Sequence, residues 1–305
     1  MGGGVLVIGE SLIDIVTGTD GRTAEVVGGS PANVALGLAR QRIPVRLLTA
    51  LARDERGERI GAHLEGEGVD IDPASWSAPA TSTAHARIGA DGSAAYDFDI
   101  AWTLERPVAL GDATHVHVGS IGAFVEPGAT AVEAALRERR PGTVVTFDPN
   151  IRPALVPAHA QTRARFERLV SMSNLVKLSD EDAEWLYPAL TPRQVCTHLV
   201  ELGAGVAALT AGGSGAILQS SRAVVDVGAP RVAVRDTVGA GDTFMAALIR
   251  RVISSPELLD AATEADLLAA GSYAATAAAI TVQRAGADLP TLDEILEAAA
   301  APLAS

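Results

Sequence analysis

The chain has 305 residues, of which 48% are hydrophobic and 20% charged, the balance of a folded globular protein with a large core. Its formal net charge of -13 argues against nonspecific binding to nucleic acid or to an anionic membrane, while leaving room for a local basic pocket for phosphates. The single cysteine, Cys196, excludes an internal disulfide and a cysteine-based metal cluster.

Met1-Gly2-Gly3-Gly4-Val5 lacks the basic start and long apolar stretch of a signal peptide. The longest weakly apolar run, 274–282, is too short and too Ala-rich to span a bilayer. A soluble cytoplasmic protein with no membrane partner is the expectation. Residues 5–8 form a short buried-strand pattern. Asp14 lies just past it, where an acid is well placed for a ligand hydroxyl, although a surface carboxylate reads the same way. Residues 13–27 alternate around a Gly18-Thr19-Asp20-Gly21 turn.

Next comes Gly28-Gly29-Ser30-Pro31-Ala32-Asn33-Val34-Ala35. Ser30 is the predicted N-cap and Pro31 the first residue of a helix running to about residue 41. The two glycines let a ligand approach the backbone, and Asn33 presents a donor and an acceptor to the same spot. A well-made helix start accounts for the same residues without any ligand.

Strand patterns at 45–51, 116–118, 144–147, 175–178 and 206–210 alternate with helical stretches at 53–67, 128–140, 161–170, 180–186 and 192–202. That rhythm predicts a mostly parallel sheet covered on both faces. Residues 83–102 break it: Ala84, Ala86 and Ile88, then Tyr96, Phe98 and Ile100, alternate around Ala90-Asp91-Gly92-Ser93. With 13–27 they predict a small antiparallel sheet, a candidate lid. Tyr96, Phe98 and Trp102 are placed there to close over a bound ring, or to form lid core or a dimer interface.

Several side chains carry two readings each. His115 and His117 share one strand face but have no third ligand nearby, so they are not read as a metal site. In Phe147-Asp148-Pro149-Asn150-Ile151-Arg152-Pro153, Arg152 either reaches a substrate or phosphate oxygen by a forked contact or ties its loop to Asp148. Lys177 reaches a phosphate, lies on the surface, or pairs with Glu181 or Asp182. Cys196 is read as a packed small residue. Leu209-Thr210-Ala211-Gly212-Gly213-Ser214-Gly215 is a strand ending in a Gly-rich turn, and the tail from Pro302 is expected to fray.

The most informative segment is Asp236-Thr237-Val238-Gly239-Ala240-Gly241-Asp242-Thr243-Phe244. Two glycines and two carboxylates precede an Ala-rich helix. Without Cβ atoms, Gly239 and Gly241 admit a bulky ligand. The helix start offers unpaired N–H groups and a positive dipole end, an anion site. Asp242, set in that positive field, can take a proton from a hydroxyl attacking phosphorus. A plain loop with an Asp cap is the alternative.

Together these segments resemble the ribokinase family, the PfkB-type carbohydrate kinases, from Asp14 to about Gly286. The resemblance implies a ribokinase-like α/β three-layer sandwich over 1–305, with a mostly parallel central sheet. Segments about 13–27 and 83–102 then form a β-sheet lid. It implies transfer of the γ-phosphoryl group of ATP to a sugar hydroxyl, with Mg2+. Asp242 becomes the catalytic base, and Gly239, Ala240 and Gly241 the anion hole. Asp14, Gly28, Gly29, Asn33 and Arg152 are assigned to the sugar; Lys177, Thr210, Gly212, Gly215, Gly239 and Gly241 to the nucleotide. The 273–279 helix would lie near adenine. Asp236 and Arg284-Ala285-Gly286 resemble a monovalent-cation site, for K+.

One departure concerns magnesium. Many members carry Asn-x-x-Glu, where this chain has Ser179-Asp180-Glu181-Asp182. Asp182 then stands for the Glu that holds Mg2+ through water, with Glu181 as a substitute. Fructose is the expected sugar; 2-keto-3-deoxygluconate, ribose and a nucleoside are alternatives, as is a sugar-sensing protein without turnover. A homodimer through the lid is expected. A dinucleotide oxidoreductase is excluded, because Gly9-Glu10-Ser11-Leu12-Ile13-Asp14 stands where G-x-G-x-x-G is required.

Overall fold

Four consecutive buried residues, Val5–Ile8, form β1, flanked on each side by a parallel neighbour within a nine-stranded sheet. The structure is a computed structural model and describes residues 4–19, 21–88, 94–104 and 107–300. After β1 come β2 (Leu12–Thr17), β3 (Thr23–Gly28), α1 (Ser30–Arg40), β4 (Val45–Leu48), α2 (Glu55–Gly66) and β5 (Asp70–Ile71). Then follow β6 (Thr83–Ile88), β7 (Ala94–Asp99), β8 (His115–Gly119), α3 (Ser120–Phe124), α4 (Gly128–Arg137), β9 (Val144–Asp148) and α5 (His159–Val170). The second half holds β10 (Leu175–Ser179), α6 (Asp180–Leu186), α7 (Pro192–Glu201), β11 (Val206–Thr210), β12 (Ala216–Ser220) and β13 (Val224–Val227). Four helices close the chain: α8 (Ala240–Ser254), α9 (Leu258–Ala261), α10 (Glu264–Thr281) and α11 (Leu292–Ala300).

The large sheet runs β13-β12-β11-β10-β9-β8-β1-β4-β5. It is parallel except at one edge, where β12 and β13 add antiparallel strands. Its strands are apolar on both faces, as helix-covered parallel strands must be. On one face Val7, Leu47 and Val206 pack with Val34 of α1, Leu64 of α2, Met245 of α8 and Ala274 of α10. On the other, Val118, Phe147 and Leu178 pack with Phe124, Leu136, Phe166 and Val195 of α3, α4, α5 and α7. That is the expected three-layer α/β sandwich. Among the described residues no helix is long and apolar enough to cross a membrane.

The second sheet, ordered β3-β2-β6-β7, is built from the two segments that broke the rhythm. It is not wholly antiparallel. Its two hairpins are antiparallel within themselves, but β2 and β6 pair in parallel. Both strands leave the body in the same direction, so their pairing has to be parallel. The turn at 90–93 and the side chain of Tyr96 lie outside the described residues. Trp102 is not on this sheet: it is buried in the body, and its indole N–H donates to Gly122 O at 3.1 Å.

The helix at 180–186 has the bounds read from the sequence, and the boundaries of the other helices in that alternating pattern shift by at most three residues. The residue at the first helix start matters most. Gly29, not Ser30, is the N-cap of α1, and no side chain caps it. Cys196 is buried as a packed residue, with its thiol pushed up to about 12 by burial. His117 is also buried, its pKa pushed down to about 3 by burial and then by the Lys177 charge. Among the described residues no three His, Cys, Asp or Glu side chains gather as a metal set.

Candidate active site

The site forms where the carboxyl ends of the parallel strands meet the N-terminus of α8, the usual place for a ligand in an open α/β sheet. Gly239 reaches the left-handed region, φ 79°, and turns the chain into α8. A side chain there would meet the Cβ of Ala287 at 2.8 Å, so its bare face accommodates the 284–288 loop and not a ligand. The Ala240 N–H already donates to Thr237 O at 3.3 Å. Gly241 and Asp242 come next in the first turn, where a helix has no earlier carbonyls for its N–H groups. The anion site therefore leans toward residues 241 and 242.

Asp242 is buried at 8% exposure, and both its oxygens are bonded to α1. Ser30 Oγ donates to Oδ1 at 2.6 Å and Asn33 Nδ2 to Oδ2 at 2.8 Å. Burial raises the Asp242 pKa, against the pull of these two bonds and of the Lys177 and Arg152 charges. Ser30, predicted as a helix cap, is thus a partner of the buried acid. Two hundred and twelve residues separate the pair. Only the docking of α1 on α8 joins them.

Asp14 projects from β2 and is half-buried, its pKa raised by burial and lowered by Arg152. A Cβ on Gly28 would lie 2.0 Å from Asp14 Oδ2, so the space left by that glycine holds the carboxylate. A Cβ on Gly29 would meet the Glu10 carbonyl at 2.6 Å. These glycines therefore serve close packing around Asp14 and Glu10. The sequence reading had assigned them to backbone–ligand approach. Glu10, missed in that reading, is buried at 3% exposure and accepts the Gly122 N–H at 3.0 Å.

Lys177 is buried, contrary to the surface reading, and pairs with Asp148 at 2.7 Å instead of Glu181 or Asp182. Register explains the pair: Val176 of β10 lies opposite Phe147 of β9, which puts Lys177 beside Asp148. Burial works against its charge, but Asp148, Asp242 and Asp182 outweigh that and hold its pKa above the usual value. Its Nζ lies 3.0 Å from where Gly241 would carry a Cβ. The gap left by Gly241 therefore opens onto a fixed cation. Arg152 does not tie its loop to Asp148. Its guanidinium donates to the carbonyls of Asn150 and Ile151, at 3.4 and 3.2 Å.

A cleft of about 900 Å³ runs outward from Lys177, Arg152 and Gly241. Thr210, Gly212 and Gly215 line it, as do Asp180, Glu181 and Asp182 of α6. Ala275, Ala278, Ala279 and Val282 provide a flat apolar wall, with Trp185 at α6 and Arg231 on a loop. Neither Trp185 nor Arg231 stood out in the sequence, because neither belongs to a motif. Asp182 is bound on both oxygens, by the Ile151 N–H at 2.8 Å and the Ser179 N–H at 3.1 Å. It forms a capping box with Ser179. Asp180 and Glu181 are the α6 carboxylates left exposed on the cleft. Asp236 accepts the N–H groups of Val238 at 3.1 Å and Gly286 at 2.8 Å, which pins the 284–286 loop and holds its carboxyl below the usual range.

A buried acid at a helix N-terminus, a fixed lysine behind it and a long cleft with one apolar wall suit phosphoryl transfer from a nucleotide. Comparisons with known proteins agree. The model for pfkB family carbohydrate kinase matches residues 4–294. The fructokinase of Rhizobium leguminosarum bv. trifolii is 31% identical over 80% of this chain and 78% of its own. Fructokinase-1 of Oryza sativa subsp. japonica is 30% identical over 96% of each chain. Among solved structures, an uncharacterized sugar kinase from Pyrococcus horikoshii in complex with ATP gives a TM-score of 0.78 at 27% identity, covering 96% of this chain and 97% of that one. The match over nearly the whole length, on a fold and cleft of this kind, means that the chain belongs to the pfkB family of carbohydrate kinases and is an ATP-dependent sugar kinase.

Proposed function

We propose that this kinase phosphorylates fructose, with Asp242 as the general base. The observation that carries the reading is the position of Asp242. It lies at the first turn of α8, between the sugar-side residues of α1 and β2 and the cleft behind Gly241. The sugar is held by Asp14 and Asn33, with one primary hydroxyl directed at Asp242. Its oxygen bonds to the γ-phosphorus of ATP, its proton passes to Asp242, and ADP departs with the bonding pair. The N–H groups at the start of α8, together with Lys177, hold the charge that develops on the phosphoryl oxygens. Adenine rests on the apolar wall of Ala275, Ala278 and Ala279.

Magnesium, when bound, neutralises phosphate charge in the cleft. The residues present fit it, because magnesium keeps several waters and needs few protein ligands. Asp180 and Glu181 are better placed than Asp182, whose oxygens are occupied by backbone N–H groups. The loop pinned by Asp236 is the place for K+. The small sheet is the lid, and its apolar outer face supports a homodimer. The need for ATP fits a cytoplasmic enzyme.

Fructose is favoured by the fructokinase relatives and by hydroxyl-binding partners at Asp14 and Asn33. A second reading, 2-keto-3-deoxygluconate, is favoured by Arg152. Its only hydrogen bonds among the described residues go to backbone carbonyls, and its charge is felt at both Asp14 and Asp242. Arg87 of β6, a second cation that a sugar carboxylate could meet, already faces Asp97 at 3.6 Å on the exposed sheet. The deciding experiment measures ADP release with fructose, 2-keto-3-deoxygluconate, ribose and adenosine. Fructose should lead in kcat/KM. A tenfold lead for the acid sugar, about 1.4 kcal/mol in transition-state binding, overturns the fructose assignment and leaves the kinase intact.

A further inference from the structure

We propose that Ser30 restrains Asp242 until a sugar hydroxyl replaces it, so that water is a poor acceptor for the γ-phosphoryl group in the sugar-free enzyme. The inference rests on the reading of Asp242 as the base. A hydroxyl has one proton to give, and Ser30 gives it to Asp242 Oδ1 at 2.6 Å. Asn33 occupies the other oxygen at 2.8 Å. Ser30 and Asp242 are each 8% exposed, so little solvent competes for this bond.

Among the described residues the Ser30 hydroxyl makes no other side-chain hydrogen bond. It does not cap α1, and the next residue, Pro31, brings no N–H to satisfy. The contact has a chemical consequence for the base. A hydrogen bond donated to a carboxylate stabilises the anion and makes it less ready to take a proton. It also takes one of the roughly four acceptor positions of the carboxylate, which leaves fewer for an attacking water.

Water and sugar differ in what they can displace. A water molecule brings no binding energy beyond its own hydrogen bonds. A sugar engages Asp14 and Asn33 through several hydroxyls at once, and that binding energy can be used to shift Ser30 aside. The reaction being suppressed is balanced and simple. A water oxygen bonds to the γ-phosphorus of ATP, its proton goes to Asp242, and the bond to ADP breaks with the electron pair leaving on ADP. The products are ADP and inorganic phosphate.

The competing role, in which Ser30 merely orients Asp242, makes the opposite prediction. Loss of an orienting bond slows attack by water and by sugar alike. The test measures ADP release with and without fructose for wild type, Ser30→Ala and Ser30→Cys. Cysteine nearly preserves the serine volume and is a weak donor, so it covers the case in which alanine impairs folding. Sugar-free hydrolysis should rise by about tenfold in both variants, equivalent to about 1.4 kcal/mol. The ratio of fructose-dependent to sugar-free turnover should fall by a similar factor. An unchanged or slower sugar-free rate in folded variants overturns the proposal. If wild type phosphorylates no sugar in the panel, the fructose assignment fails, while the sugar-free rates of the two variants still decide whether Ser30 restrains Asp242.

Discussion

Glu10 sits where the first strand ends, and its burial sets a pH dependence for the whole fold. Its carboxyl is pushed up from 4.5 to about 7 by burial, against bonds from Ser120 and the Gly122 N–H. An acid whose folded pKa is raised adds stability below its unfolded pKa. That stability is lost as pH rises through the folded value. Wild type should therefore weaken between about pH 4.5 and 7 by up to roughly 3 kcal/mol from this group. Glu10→Gln keeps an acceptor for Gly122 and removes the charge. It should leave stability near pH 5 little changed and raise it at pH 8.5, as read by urea unfolding. Parallel pH profiles for the two proteins would rule the effect out.

At this same scale the sequence pointed to residues of the candidate site but not to their contacts. Asp242, Asp14, Asn33 and the α8 glycines stood out because an acid beside a Gly-rich helix start has few other uses. Their partners did not. Ser30 reaches Asp242 only because α1 packs along α8, and Lys177 reaches Asp148 only through the β9–β10 register. Neither relation leaves a period or spacing in the chain. The reasons for Gly28 and Gly29 were likewise invisible, since they depend on which atoms fill the space a side chain would take.

Among the elements, the β2–β3 hairpin meets the body through the buried Ile13 and Ile15 and meets α2 through charges. Glu25 of β3 pairs with Arg56 of α2 and lies 3.2 Å from Arg59. On the same hairpin lies Asp14, the residue proposed to hold the sugar. Closure over a sugar and release from α2 therefore draw on one small rigid piece. An exposed pair of this kind is weak, enough to bias a lid and too little to lock it. Glu25→Gln should speed amide exchange in β2 and β3 without sugar and shift the fructose KM by up to about fivefold. Saturating fructose should slow that exchange in both proteins. Hairpin amides indifferent to fructose would remove the lid from the mechanism.

Element type was readable wherever periodicity was long, as in the alternating strands and helices of the sandwich. It failed at β12 and β13. Each is only four or five residues long, and burial alternates along both while the residue types, Ala-Ile-Leu-Gln-Ser and Val-Val-Asp-Val, do not; the Gly-rich turn before β12 was read as a nucleotide site. Trp102 was misplaced for a related reason. The apolar alternation of the second lid segment runs into it, but the strand ends at Asp99 and the ring turns back under Gly122 and Gly128.

On the scale of the whole molecule, one face of the small sheet has no partner among the described residues. Antiparallel register puts Asp14 opposite Val26 and Val16 opposite Ala24, so these four residues share a face. Ile13 and Ile15, on the other face, are buried in the core. Val16 is 38% and Val26 49% exposed, and Ala24 is exposed beside them. A β-face that is apolar on both sides is unstable in water unless something covers it. A second copy of the same sheet covers it with closed two-fold symmetry. The net charge of -13 opposes that approach. At 0.15 M salt, however, repulsion between exposed charges is screened beyond about 8 Å. Dimers should therefore dominate at micromolar protein and strengthen as salt is raised. Val26→Asp should yield a monomer with wild-type circular dichroism, and its fructose KM should rise because Asp14 lies on the face that loses support. Sedimentation velocity decides the matter. A wild-type monomer at micromolar concentration in 0.15 M and 0.5 M salt would mean that the apolar face serves the sugar pocket alone.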